Sequence, residues 1–460
     1  MRGLTRFLSG AIVLTALFTA SYMRAQTSPV PPLGDPGLNA LIDEALARNP
    51  DVLAAQEAGS AARSRPAQGR SLPNPMLSTA YTNDGWTPTL GSREMTTLAL
   101  MGSQDLPYPG KRKLRADILS REAEQVEQQL ARVKLAVAAA VKRAYYGLLL
   151  ARGLLELIGE QETVWKEIEE VARARYAVGQ GAQQDVLRVQ IEVTRIEQLR
   201  TEQGAEVEIR LAELNRLLNR PATTPLETGA GLALQPVEAS LDRVLDHLRE
   251  ISPELKSATL GTERATLGVA LARKEFKPDF TLQAGYMNRG RLDPMWLAGV
   301  GISLPAYRTR LRSGLAEAEA QLRASQRLVE SVQLQLRFRT QERLAQLKAT
   351  EKSAALYGGG VIPQDRMSVE AALANYRTGQ IPFITVLEAL TTLYNDRVTN
   401  LGLVASHEKT RASLEEASLE ETSSMAGGGA AGMPAVAGSN LGMAGAGGTP
   451  AGGFGSMGNR

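Results

Sequence analysis

Two hydrophobic periods alternate along this chain, and the alternation occurs twice. Between residues 112 and 177 apolar positions recur at steps of three, four, seven or eight, as in Leu114, Ile118, Val126, Leu130, Val137, Val141, Leu148 and Trp165, with no proline to interrupt them. That spacing predicts a single helix roughly 100 Å long. Just before it the period changes to two. Leu77, Thr79 and Tyr81 alternate within residues 76–86, and Thr96, Leu98 and Leu100 within 96–106, which predicts a β-hairpin. Asn83-Asp84-Gly85 opens the loop between these strands. Leu106-Pro107-Tyr108-Pro109-Gly110 ends the second, because proline donates no hydrogen bond to a ladder. A short amphipathic helix at 38–48 and a second, started by Asn49-Pro50-Asp51, precede the hairpin. A further helix at 183–218 follows the long one.

Residues 251–420 repeat the plan set out in 26–220, after a linker and short helix at 221–250. Strands are predicted at about 279–288 and 295–304 and a long helix at 309–377, with Gly358-Gly359-Gly360 and Pro363 as an irregularity. The most alike parts of the two halves are the breaks that follow the long helices. One reads Tyr176-Ala177-Val178-Gly179-Gln180 and then Asp185-Val186-Leu187. The other, 200 residues on, reads Tyr376-Arg377-Thr378-Gly379-Gln380 and then Thr385-Val386-Leu387. Glycine suits a helix end that turns into the left-handed region, so both breaks read as helical-hairpin tips with Gly179 and Gly379 at positive φ.

Composition narrows the picture. Ala, Leu, Gln, Glu and Arg abound and aromatic residues make up only 5% of the chain, which suits helices lying side by side. The formal net charge of +3 gives no electrostatic support for a nucleic-acid partner. There is no cysteine, so disulfides, thiolate metal sites and acylation of an N-terminal cysteine are excluded. Histidine occurs only at His247 and His407. No catalytic, cofactor or metal constellation is visible, and the chain does not read as an enzyme. Residues 1–25 have the basic start and apolar run of a secretory signal. Residues 421–460, rich in Gly, Ala and Met, read as a disordered tail. That tail is a spacer or, through its methionines, a binder of a soft cation.

Each half supplies two strands with one apolar face and one small or polar face. Four strands cannot close a barrel, and an open sheet of this kind would aggregate through its edges. Sharing strands among three protomers gives twelve and removes both problems. The competing reading is a non-channel periplasmic coiled-coil spacer or adaptor, which accounts for the helices but not for the strands between them.

Tyr376-x-x-Gly379-x5-Thr385-Val386-Leu387-Glu388-Ala389, together with the duplicated layout and the Leu-Pro-Tyr-Pro-Gly-Lys-Arg run from Leu106, resembles the TolC-type outer-membrane efflux proteins. The Leu106–Arg112 run is similar to the CusC/CzcC-like heavy-metal branch. The resemblance implies an α+β membrane protein of the Gram-negative outer membrane: a homotrimer whose twelve-stranded β-barrel continues as a long α-helical periplasmic tunnel. It implies a collar near 38–48 and 241–249. A periplasmic adaptor (membrane fusion) protein, an inner-membrane RND-type pump and outer-membrane lipid are the implied partners, and heavy-metal cations the first substrate class, with drugs, solvents or secreted proteins as alternatives. It also points to a gate at the tips, with Asp185 and Glu388 as carboxylate rings and Tyr176, Tyr376 and Arg377 as tying or hairpin-packing residues. Thr385 stands where the family often has Asp. One feature belongs to the residues themselves. Lys111, Arg112, Lys113 and Arg115 open one long helix and Arg308, Arg310 and Arg312 the other, against the helix macrodipole. An anion should compensate, from lipid phosphate or from a neighbouring protomer.

Overall fold

The computed structural model describes residues 36–89, 93–228, 231–237 and 240–415; the signal-like start and the Gly/Ala/Met-rich tail lie outside them. The first repeat comprises α1 (Pro36–Arg48), α2 (Pro50–Arg70), β1 (Met76–Thr82), β2 (Thr97–Leu106), α3 (Lys111–Ala177) and α4 (Gln183–Leu217). The second comprises α5 (Leu241–Ile251), α6 (Pro253–Lys274), β3 (Asp279–Arg289), β4 (Leu292–Ser303), α7 (Arg308–Leu356), α8 (Ile362–Arg377) and α9 (Phe383–Glu415). A π-helical turn, Tyr357–Val361, joins α7 to α8. It holds the three consecutive glycines, which cannot hold a regular ladder firmly in register.

Local chemistry sets the starts of the helices. Asn49 Oδ1 accepts from the Asp51 amide at 2.9 Å with Pro50 in the first turn, and its Nδ2 donates to the Leu217 carbonyl at 3.0 Å. One side chain thus starts α2 and holds the end of α4 beside it. Ser252 repeats the cap before Pro253, accepting from the Leu255 amide at 3.3 Å.

The four strands form one antiparallel sheet in the order β1-β2-β3-β4, so the β2–β3 pairing joins the two repeats. The register puts Leu77, Tyr81, Leu98, Leu100, Phe280, Leu282, Tyr286, Trp296, Val300 and Ile302 on one face. The other carries Ala99, Ser103, Asp105, Thr281, Gln283, Gly299 and Gly301, with Met101, Met287, Met295 and Leu297 toward its hairpin end. Trp296 is 80% exposed and Val300 66%, so the apolar face is bare in the single chain. The loops differ from expectation. β1 stops at Thr82 rather than near 86, because Asn83 organises the loop by donating to the Gly85 and Thr87 carbonyls at 2.6 and 3.0 Å. The second connection, expected near 289–294, is a tight turn at Gly290-Arg291, where the Gly290 amide donates to Asn288 Oδ1 at 2.7 Å. β4 therefore includes Pro294, which an edge strand tolerates.

At 67 residues α3 is about 100 Å long. Its first half packs against α2 and α6, through Arg65–Glu122 at 2.6 Å and a Gln125 Nε2 bond to the Ser257 carbonyl at 3.0 Å. Its second half packs against α4 and α9, through a Gln203 Nε2 bond to the Ala151 carbonyl at 3.0 Å and Arg397–Glu160 at 2.6 Å. Two apolar cores lie along this rod. One gathers Leu38, Val52, Val141, Leu148 and Leu214; the other gathers Trp165, Ile168, Val189, Phe383 and Leu390 below the tips. No described helix is long and apolar enough to cross a membrane.

Candidate functional site: the paired helical tips

Both tips are built alike. The Gly179 amide donates to the Tyr176 carbonyl at 3.0 Å and the Gln180 amide to Arg175 at 2.9 Å; the Gly379 amide donates to Tyr376 at 3.0 Å and the Gln380 amide to Asn375 at 2.9 Å. This pair of bonds is a Schellman cap, and it needs a left-handed residue. Gly179 has φ +71° and Gly379 φ +77°, as the repeated motif predicts. The first turns of α4 and α9 then hold Asp185 and Thr385, whose amides donate to the Ala182 and Pro382 carbonyls at 3.1 and 3.2 Å.

The side chains break this symmetry. Tyr376 is 2% exposed and packs on Phe383 with ring centroids 5.6 Å apart, whereas Tyr176 is 48% exposed. The Tyr376 hydroxyl reaches Asp185 Oδ2 across a long 3.4 Å bond. Burial, and then the Asp185 charge, push this phenol above its ordinary value, partly offset by Arg175, so it remains a protonated donor. Arg175 lies over the Tyr376 ring at 4.6 Å, donates to the Tyr376 carbonyl and gives its Nη2 to the Gln180 carbonyl at 2.9 Å. A cation from the first tip therefore clasps the second. Below it Trp165 meets Phe383 edge to face at 6.3 Å, and burial pushes the Tyr394 phenol up to about 12.

Of the residues singled out in the sequence, the structure joins Asp185 to Tyr376 and sets Gly179 and Gly379 at the two turns. Tyr176, Arg377 and Glu388 are exposed and lie outside that contact. Arg175 was missed. It sits one residue before Tyr176 in a helix full of arginines, and its partner is 201 positions away.

The basic residues that open the two long helices also divide. Lys111 is 1% exposed and paired with Glu275 at 3.1 Å and Asp279 at 3.0 Å, while Arg115 reaches Glu275 at 3.5 Å. Arg112 donates to the Arg70 carbonyl at 3.3 Å. Lys113, Arg308, Arg310 and Arg312 are exposed.

A third cluster was not legible. His407 is fully buried on α9, with Nδ1 at 3.1 Å from Glu408 and Nε2 at 3.1 Å from Glu351 on α7. Those carboxylates accept from the Gln235 and Val237 amides at 2.9 and 2.8 Å, and Arg411 pairs with Glu408 at 2.7 Å. The cluster pins the segment between α4 and α5 onto the rod. Its chemistry is that of a clamp: among the described residues no group of three or more His, Cys, Asp or Glu is placed to hold a metal ion. A cavity of about 790 Å³ between α3, α6 and α7 is lined by Gln125, Gln128, Gln129, Arg132 and Arg264 among others.

The pattern described as "Outer membrane efflux protein" matches residues 41–220 and 244–418. The chain is similar to the cobalt-zinc-cadmium resistance protein CzcC of Cupriavidus metallidurans, at 24% identity over 73% of this chain and 79% of that one. It is similar to the nickel-cobalt-cadmium resistance protein NccC of Alcaligenes xylosoxydans xylosoxydans, at 25% identity over 74% of this chain and 75% of that one. In fold it matches the crystal structure of CusC, described in connection with transmembrane channel formation, with a TM-score of 0.69 at 18% identity over 83% of this chain and 92% of that one.

Proposed function

The chain belongs to the outer membrane efflux protein family, a family of transport channels rather than enzymes, and from that premise we propose that three copies form the exit duct of a tripartite efflux system for heavy-metal cations. The observation that carries this reading is the open sheet. It has one bare apolar face, one face that is mostly small or polar away from the hairpin ends, and two free edges, β1 and β4, at the head of helices about 100 Å long. Three such sheets joined edge to edge make a twelve-stranded barrel with its apolar face in lipid and its polar face on a lumen. Tyr81, Tyr286 and Trp296 share the loop-ward tier of the apolar face, where an aromatic girdle would meet the membrane interface.

The helices then form the periplasmic wall, and six tips close its far end. There the Arg175–Tyr376–Asp185 clasp holds the two tips of one protomer together as the gate. The exposed turns at Gly179 and Gly379 are what a periplasmic adaptor docks on, below an inner-membrane pump. The names of the CzcC and NccC relatives support divalent metal cations as cargo. Passage through a duct needs no resident ligand set.

The test is genetic. Removing the gene should lower tolerance to cobalt, zinc and cadmium, and the full chain should restore it. Unchanged metal tolerance beside lost tolerance to organic drugs would overturn the metal reading.

A further inference from the structure

The two long helices start with equivalent basic triplets. α3 opens with Lys111, Lys113 and Arg115 and α7 with Arg308, Arg310 and Arg312, each triplet at the first, third and fifth helical positions. Their surroundings differ. The first triplet faces the α6–β3 junction, where Glu275 and Asp279 take up Lys111 and Arg115. For the second triplet no partner is found among the described residues. All three arginines are exposed, and neither Tyr307 before them nor any other side chain caps the helix.

Ring closure decides what they meet. Packing runs α2, α3, α6, α7 within a protomer and the sheet runs β1 to β4, so closing either ring sets α7 and β4 beside α2 and β1 of the next copy. There the counterpart of the acidic junction is residues 70–76, which read Arg-Ser-Leu-Pro-Asn-Pro-Met. Met76 opens β1 where Asp279 opens β3, and the segment has no carboxylate. The neighbour therefore offers Arg70 where the first triplet finds two acids. Three cations at a helix N-terminus also oppose the macrodipole, so the deficit is not met by the helix itself.

The deficit is confined to one rim. The four strand–helix junctions (66–77, 104–117, 271–281 and 302–314) carry eleven Lys and Arg against four Asp and Glu. The two hairpin ends (83–96 and 288–293) carry three of each. The basic rim adjoins the apolar face: Leu304 follows Ile302 at the strand period just past β4, and it and Tyr307, which precedes the arginines, are 74% and 78% exposed.

We propose that Arg308, Arg310 and Arg312 form a binding site for anionic glycerophospholipid headgroups at the helix-side rim of the barrel. The inference rests on the trimeric barrel reading above. Guanidinium groups grip phosphate oxygens in pairs, and a basic residue near an anionic surface contributes about fivefold in binding. Leu304 and Tyr307 lie against the acyl chains and the interface.

The test uses the full-length protein in phospholipid nanodiscs, with lipid retention read by native mass spectrometry. The wild type should retain phosphatidylglycerol over phosphatidylcholine by at least about tenfold. The triple variant Arg308→Gln/Arg310→Gln/Arg312→Gln should lose that preference and remain a trimer, since removing cations there relieves the helix dipole. The triple Lys variant should keep most of it, and Arg93→Gln/Arg289→Gln/Arg291→Gln at the hairpin ends should keep all of it. A triple Gln variant with unchanged preference overturns the proposal. So does one that falls apart as a trimer while monomers keep the preference, which would mean the arginines bind protein. Displacement by inorganic phosphate at matched headgroup concentration overturns the lipid assignment in favour of a free anion. A wild type that forms no trimer removes the barrel reading and this site with it.

Discussion

Arg175 reaches from one tip to the other, and Tyr376 is what it holds. The clasp consists of a cation–π contact, a bond to a backbone carbonyl and a long hydroxyl–carboxylate bond to Asp185. Removing the hydroxyl in Tyr376→Phe deletes the last of these and leaves the ring packed on Phe383. A bond of this kind contributes about 0.5–1.5 kcal/mol, which corresponds to a few-fold to roughly tenfold rise in the open population. Planar-bilayer recordings of the purified protein should therefore show a several-fold higher conductance for Tyr376→Phe; unchanged conductance would remove the contact from the gate. The glycines of these tips were legible in the sequence because a positive φ is a demand made by one residue on its own backbone. The clasp was not, because it depends on which of many arginines meets a distant aromatic. The buried Tyr376 and exposed Tyr176 occupy the same motif position, and no local signal separates them.

At the scale of elements, hydrophobic period located the helices and strands, and capping residues located several helix starts. The irregularity between α7 and α8 was legible from three glycines and Pro363. What was not legible was loop geometry: Asn83 shortens β1 through bonds across its loop, and Asn288 tightens the second hairpin so that β4 begins at Leu292. The clamp that joins α7, α9 and the segment before α5 has a consequence for pH. Burial pushes His407 down, but the hydrogen bonds its imidazolium donates to Glu408 and Glu351, and the charges of those carboxylates, carry it above its ordinary 6.5. A raised folded value means that the imidazolium stabilises the fold fully below about 6.5, and that this stabilisation fades as pH rises through the folded value. Thermal unfolding should accordingly occur at lower temperature as pH is raised across that window, and His407→Gln should flatten the dependence. A wild type whose unfolding temperature is constant there would show that the clamp does not depend on the proton.

For the whole molecule, the duplication in sequence becomes a pseudo-repeat in space, with β2 and β3 as the internal seam. In the proposed trimer that seam is a template for the contact between copies. Leu106 pairs with Phe280 and Gln104 with Leu282. Carrying that register to the equivalent strands places Ile302 of β4 opposite Thr79 of the next copy's β1. The four strands and their bare apolar face were legible from the period of two, and the proposed twelve-stranded barrel follows from them because such a sheet has no stable end point alone. The arginines that open α7 were legible only as an unexplained charge until the structure showed that the triplet of α3 is the one with acids beside it. The most direct test of the duct is a disulfide across the seam between copies. The chain has no cysteine, so Thr79→Cys/Ile302→Cys introduces the only pair. Within one protomer these strands are at opposite edges of the sheet, about 14 Å apart, beyond the reach of a disulfide. Oxidation in isolated outer membranes should yield covalent dimers and trimers on a denaturing gel, absent from either single variant. Monomers alone, from protein present in that membrane, would contradict the shared barrel.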